Sequence, residues 1–195
     1  MAKVHELTVW ARGVLQDKEA RDVINVFAKA AQAEGKHAQA FPSFGSERTG
    51  APVVAFCRIS DREIRVREPI QNPDALIVQD PTLFKVLDVT EGLKSDGHLI
   101  VNTARSLADI HLESIVQRLP PGHVLTVPAT ELAVKHVGRP APNTALLGAF
   151  AAEVGVVSLP SVLEAIRRAF PGRVGESNVE AAKAAHALVA AKAAA

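Results

Sequence analysis

The order of the first forty residues narrows the fold more than any other feature of this sequence. His5 to Trp10 alternates, with Leu7 and Val9 set against Glu6 and Thr8, as a half-buried strand does. From Lys18 to Glu34, Ala20, Val23, Ile24, Phe27, Ala28 and Ala31 recur at intervals of three and four and draw one apolar face on a helix. Asp17 stands where it can cap the start of that helix and Gly35 where it can end it. A second apolar run closes at Phe41. Strand, helix and strand in this order predict a right-handed crossover, the βαβ unit.

The remaining segments extend the sheet. Pro52 to Ile59 and Glu63 to Val66 flank Ser60-Asp61-Arg62 and read as a hairpin, whose second strand carries Arg62, Arg65 and Arg67 and so has a wet face. Ala75-Leu-Ile-Val78, after Pro73-Asp74, is the short continuous apolar run of a strand covered on both faces, which places it centrally. Asp80-Pro-Thr-Leu opens a short helix, with Pro81 tolerated in its first turn. His98 to Asn102 and Val124 to Val127 are further strands, separated by a partly helical stretch over 104–119 and by Pro120-Pro121-Gly122. After Val127 only helices are expected, over Thr130 to His136, Asn143 to Val154, Ser161 to Phe170 and Asn178 to Ala194. The predicted fold class is therefore α/β: a Rossmann-like, mostly parallel sheet flanked by helices, with a hairpin and a helical C-terminal tail from about residue 160 to 195. With 195 residues, 48% of them apolar, the chain is long enough for one domain over 1–195.

Two places have the chemistry of a site. Between the strand ending at Phe41 and the one resuming at Val53, Pro42 and Pro52 fix φ, while Gly45 and Gly50 admit conformations closed to other residues. They frame Ser46, Glu47, Arg48 and Thr49, a polar cluster on a stiffened loop. The residue types allow either a binding loop or a surface turn closed by a Glu47 to Arg48 contact. The second place is Asn143-Thr144, a helix start after Pro140 and Pro142. Asn143 is suited to capping, and the same helix start can present free amides to a ligand or a partner carboxylate.

Composition removes other classes. The 22 basic and 21 acidic residues nearly cancel without a long run of one sign, so neither nucleic acid nor an anionic membrane is an expected partner. The start Met-Ala-Lys-Val-His-Glu has no apolar signal core, and Ala145 to Leu159 is broken by Glu153 and two glycines, which makes a cytoplasmic, non-membrane chain the expectation. Cys57 is the sole cysteine and lies within a strand, where it reads as a small hydrophobe before it reads as a nucleophile. One thiol does not supply the four thiolates of an iron–sulfur cluster. The seven histidines are scattered, none four residues from another, and no serine elbow or paired carboxylates nominate a catalyst. No catalytic residue and no metal site are expected in this chain.

Gln39-Ala-Phe-Pro-Ser-Phe-Gly-Ser-Glu-Arg-Thr-Gly-Ala-Pro-Val53 resembles the signature of the gamma subunit, or gamma domain, of 2-oxoacid:acceptor oxidoreductases, the pyruvate:ferredoxin oxidoreductase group. Asn72-Pro-Asp-Ala-Leu-Ile-Val-Gln-Asp80 is similar to the family's strand after a short hairpin. Gly138-Arg-Pro-Ala-Pro-Asn-Thr-Ala-Leu-Leu-Gly148 is similar to its "RPxxNTxxLG" helix entry, and Asn178 falls in its helical tail. The resemblance implies a gamma-type subunit of a heteromeric, coenzyme A-acylating enzyme that decarboxylates a 2-oxoacid oxidatively, the chain not being catalytic alone. It implies thiamine diphosphate with Mg on alpha and beta subunits, iron–sulfur clusters mainly on a delta-type subunit, and ferredoxin or another acceptor for the electrons. Coenzyme A is the acyl-accepting substrate, and no cofactor is expected on this chain by itself. The chain's part would be to assemble and shape the catalytic core or its entrance, with Phe41, Pro42, Gly45, Glu47, Arg48, Thr49 and Gly50 as the contact loop and Arg48 as an intersubunit ion pair or anion contact. The 2-oxoacid, which is pyruvate, 2-oxoglutarate, a branched-chain or an aromatic acid in different members, is not specified by these motifs, nor are acceptor and stoichiometry. The alternative is a stand-alone nucleotide-binding α/β protein, which the βαβ start permits.

One family feature is altered. Gamma units carry a glycine-rich "GRGGQG" turn between the first strand and helix, where this chain has Arg12-Gly-Val-Leu-Gln-Asp-Lys-Glu19. Val14 resists positive φ, and Asp17 and Glu19 put negative charge where a phosphate would sit. The turn is predicted to bind no phosphate and to serve as a helix cap or packing surface. A structure of the complex with coenzyme A or a nucleotide should show no phosphate oxygen bonded to amides of residues 13–19; such bonds would reverse this reading and favour the nucleotide-binding alternative.

Overall fold

The computed structural model describes residues 4–43 and 51–193, the side chains of residues 4 and 13–17 excepted. Strands β1 (Val4–Arg12), β2 (His37–Ser43), β3 (Pro52–Ser60), β4 (Ala75–Val78), β5 (His98–Asn102) and β6 (Val124–Val127) form one sheet in the order β2-β3-β1-β4-β5-β6. Strands β1, β4, β5 and β6 run parallel, and β3 runs against both of its neighbours. The first crossover is thus present in modified form. Strands β1 and β2 point the same way on either side of helix α1 (Gly13–Ala33), but β3 is inserted between them.

That insertion corrects the expected hairpin. Strand β3 pairs with β1 along one edge, Val4 to Arg12 opposite Ser60 to Pro52, and with β2 along the other, His37 to Ser43 opposite Ser60 to Val54. Both of its ladders are filled, so residues 63–66 have no edge to join and form no strand. The hairpin is β2–β3 instead. Arg65 stands in solvent, paired with Glu63 at 3.0 Å. A second correction concerns α1, which begins at Gly13 with Arg12 as its cap and not at Lys18 after Asp17. The three- and four-residue apolar period that marks the helix in sequence starts at Ala20, while the helical backbone extends back to Gly13.

Strand β4 is buried at all four residues, as a central parallel strand should be. On one face of the sheet lie α1, α4 (Asn143–Val154), α5 (Leu159–Ala169) and α6 (Arg173–Ala193), with α3 (Ala129–Val137) packed on α4 and α6. Phe27 of α1 meets Phe150 of α4 edge to face at 4.8 Å. The other face is closed by the inter-strand segments, including a 3-10 turn at Pro81–Lys85 capped by Asp80 and the single turn α2 (Glu113–Val116), over a smaller cluster of Leu76, Val78, Leu83, Leu99 and Val101.

Helix α4 is buried from Asn143 to Ala151, and its contact with α6 is made backbone to backbone. A Cβ on Gly148 would lie 2.0 Å from the carbonyl oxygen of Ala182. One turn earlier, the Thr144 hydroxyl donates to Asn178 Oδ1 at 2.8 Å, so the two helices run in the same direction with matched steps of four residues. Gly148→Ala must push the helices apart. It is expected to cost about 1–3 kcal/mol, measured by denaturant unfolding; an unchanged midpoint would show that the helices separate without penalty.

Candidate functional site

The parallel strands all end at the same edge of the sheet, and polar residues gather there. Gln79 and Asp80 follow β4, Asn102 ends β5, and Thr130 stands in the first turn of α3 after β6. This edge is the usual binding end of an open α/β sheet. The Gln79 amide donates to the Trp10 carbonyl at 2.9 Å, which ties the end of β4 to that of β1. Asn102 is 9% exposed and joins three elements: its Nδ2 donates to the Gln79 carbonyl at 2.9 Å and to Thr130 Oγ1 at 2.8 Å, and its Oδ1 accepts from the Thr130 amide at 3.1 Å. Arg12 faces Asp80, with Nε 3.7 Å from Oδ2. The Gln79 side chain is 2% exposed, and neither its Nε2 nor its Oε1 has a partner among the described residues.

These residues border a cleft of about 520 Å³ whose lining includes Arg12, Glu19, Asn102, Thr130, Arg139 and Pro142. Among the described residues, two guanidinium groups and one carboxylate line it. Burial raises the Glu19 carboxyl above its usual range, opposed by the charge of Arg139. On the other side of the edge a larger cavity of about 910 Å³ is lined by Trp10, Pro52, Val53, Ile70, Asp88 and Glu91 among others.

The described ends of the predicted loop, Phe41 to Ser43 on β2 and Pro52 on β3, lie at this end of the sheet. In the sheet register Pro52, the first residue of β3, lies opposite Arg12 at the end of β1. Phe41 and Pro42 form the loop's stem on β2. Because β2 is an edge strand, Pro42 can sit in it without breaking the sheet. Phe41 packs on Phe56 at 5.3 Å, and the Arg58 guanidinium lies 5.5 Å from the Phe41 ring. Arg58 is itself buried, held by Glu6 at 2.7 Å and Gln39 at 3.3 Å. Gly45, Glu47, Arg48, Thr49 and Gly50 lie outside the described residues.

Asn143 and Thr144 are placed differently from the expectation. Pro142 is the cap of α4 and Asn143 its first helical residue, whose Oδ1 accepts from the Thr144 amide at 2.9 Å. Both are buried, and Thr144 is engaged with Asn178, whose amide in turn donates to the Val174 carbonyl. The Thr144 side chain works in the α4–α6 contact and that of Asn143 within the first turn of α4, while Pro142 before them lines the cleft. Gln79, Asn102, Thr130 and Arg139 went unnoticed as site residues in the sequence. For Gln79 and Asn102 the available signal was position, a polar residue at the end of a short apolar strand; Thr130 and Arg139 carried none.

The donor chemistry does not fit a resident metal or cluster. Burial pushes the Cys57 thiol up to about 12, so it stays protonated, and it is one thiol where a cluster takes four. Among the described residues no three histidine, cysteine, aspartate or glutamate side chains converge, and no helix is long and apolar enough to cross a membrane.

The sheet order and its polar carboxyl edge define a Rossmann-like α/β domain with a ligand-sized crevice at the strand ends. Residues 23–188 match the pyruvate ferredoxin/flavodoxin oxidoreductase family, and the chain belongs to it. It is 48% identical over 161 residues to the pyruvate/ketoisovalerate oxidoreductases common subunit gamma of Thermococcus kodakarensis, covering 83% of this chain and 85% of that protein. To pyruvate synthase subunit PorC of Methanothermobacter marburgensis it is 44% identical over the same shares. The crystal structure of pyruvate oxidoreductase subunit PORC from Thermotoga maritima superposes with a TM-score of 0.77 at 32% identity, covering 95% of this chain and 96% of that one.

Asn102→Leu keeps the side chain's size and removes its three hydrogen bonds. It leaves the Thr130 amide and the Gln79 carbonyl without this partner and is expected to cost about 2–4 kcal/mol in chemical unfolding. A loss below the error of that measurement would show that the edge is held by the sheet alone.

Proposed function

We propose that this chain serves as the gamma-type subunit of a heteromeric 2-oxoacid:acceptor oxidoreductase, as one domain over 1–195, and that its carboxyl edge is the face it turns to the catalytic core. The observation that supports this most directly is the convergence on one edge of the Phe41–Pro52 loop stem, Arg12 and the cleft bordered by Asn102 and Arg139. The subunit names of the full-length relatives favour this reading over a stand-alone nucleotide-binding protein.

In this role the chain contributes shape and charge, and other chains carry the redox chemistry. Thiamine diphosphate with Mg belongs to alpha- and beta-type subunits, and the iron–sulfur clusters that pass electrons to ferredoxin or another acceptor belong mainly to a delta-type subunit. Coenzyme A is the acyl-accepting substrate of the complex, which works in the cytoplasm. Arg48, Glu47 and Thr49, flanked by Gly45 and Gly50, make the contact with the core or with the coenzyme A entrance. A guanidinium there suits a carboxylate or phosphate through its planar fork. Phe41 and Pro42 hold the stem, and Arg58 beneath Phe41 fixes its position.

The test compares two arginines. Arg65 has a side chain 84% exposed and pairs only along the surface with Glu63, so Arg65→Ala is expected to change assembly by roughly 0–1 kcal/mol. Arg48→Ala removes a charge-assisted contact whose partner is left unpaired, and is expected to weaken assembly by on the order of a few kcal/mol. Native mass spectrometry of the complex, with turnover measured in parallel, reads both. Equal and negligible effects would make the loop a plain surface turn. Co-purification of the chain with larger subunits, with iron and thiamine extracted from those subunits and absent from the separated chain, is the expected composition; stoichiometric iron or thiamine on this chain would overturn the division of roles.

A further inference from the structure

A different cavity lies toward the opposite edge of the sheet. The segments that close the second face leave about 220 Å³ of space beside the amino ends of β4 and β5. Strand β4 separates this place from the carboxyl-edge cleft by its four residues, about 13 Å of extended chain. One wall is Leu93, Ile115 and Leu119, which continue the smaller hydrophobic cluster. The other is Thr90, Lys94, Ser95 and Arg118. Two cations line the cavity among the described residues, and no carboxylate does.

The cations are held in place from behind. Lys94 Nζ is 2.8 Å from Asp74 Oδ1, just before β4, and the Lys94 amide donates to the Pro73 carbonyl at 3.2 Å. Arg118 Nη2 donates to Thr90 Oγ1 at 3.1 Å, and that hydroxyl donates to Asp88 Oδ1 at 2.6 Å. Asp74 and Asp88 therefore position the two heads from outside the lining. A guanidinium has five N–H donors in a planar fork, and the bond to Thr90 uses one of them. An inorganic anion would satisfy the polar wall and leave the three aliphatic side chains without a partner. A hydrocarbon alone would do the reverse. The combination suits a molecule with one anionic end and a short apolar body, of roughly six to ten non-hydrogen atoms for a cavity below the size that takes drug-like ligands.

We infer that this cavity binds a small aliphatic monocarboxylate, with the carboxylate between Lys94 and Arg118 and the hydrocarbon against Leu93, Ile115 and Leu119. The site is independent of the gamma-type role and of the carboxyl-edge cleft, so either assignment can fail without the other.

Isothermal titration of the full chain with 4-methylpentanoate tests it, with 4-methylpentanamide as the uncharged isostere and inorganic phosphate as the anion without a body. Saturable binding of the carboxylate is expected, about tenfold or more tighter than either comparison compound. Arg118→Gln and Lys94→Gln are each expected to weaken it by about tenfold, and Arg65→Gln, at an exposed residue outside the cavity, to leave it unchanged. Thermal unfolding shows that each variant is folded; should Arg118→Gln unfold, Lys94→Gln decides. No saturation, equal binding of the amide or of phosphate, or undiminished binding by the folded variants would overturn the proposal.

Discussion

The contact that the rest of this molecule depends on is the approach of α4 to α6 at Gly148. Helix α4 is buried on every side along its first nine residues and touches α1, α3, α5, α6 and strand β5. A helix surrounded in this way fixes the positions of everything packed on it, because a close-packed interior does not yield to a displaced backbone. The missing side chain at Gly148 lets the Ala182 carbonyl come within the space a Cβ would fill, and Thr144 to Asn178 sets the register one turn away. The cleft inherits its shape from this packing, since Pro142 and Arg139 lie just before the helix whose position α6 fixes.

The carboxyl edge shows how a parallel sheet turns core packing into a polar surface. Gln79 directly after β4, Asn102 at the end of β5 and Thr130 in the first turn of α3 are brought together by strand register and not by proximity in sequence. Asn102 satisfies groups from β4 and α3 at once. Gln79 lies under the same edge without a side-chain partner among the described residues, an uncommon condition for a buried amide.

The β2–β3 hairpin extends this edge away from the parallel strands. Its stem is rigid for reasons visible in the residues: Phe41 on Phe56, Arg58 buried under Phe41, and Glu6 neutralising Arg58. A buried ion pair of this kind contributes little net stability, because desolvation offsets the attraction, but it holds the strands in one register.

Much of this architecture was legible in the sequence. The period of α1, the apolar run of β4, the boundaries of α4 and the succession of strands then helices are local patterns, dictated by which faces must be buried, and family membership followed from the motifs around Phe41, Asn72 and Asn143. The hairpin was misplaced because local chemistry shows only that Ser60-Asp61-Arg62 can turn; which edge β3 pairs with is decided by β1 and β2 competing for the same ladders, and they fill both. The start of α1 was misplaced because the helix was read from where its apolar period and a capping aspartate stand, while the backbone is already helical from Gly13. Asn143-Thr144 read as a capped helix start able to present free amides, and Thr144 became a buried contact because α6, more than thirty residues later, folds onto it. Only the tertiary structure could gather Arg12, Asn102, Thr130 and Arg139 around one cleft, since each is unremarkable in its own segment and their common position comes from strand register, a property of the whole sheet.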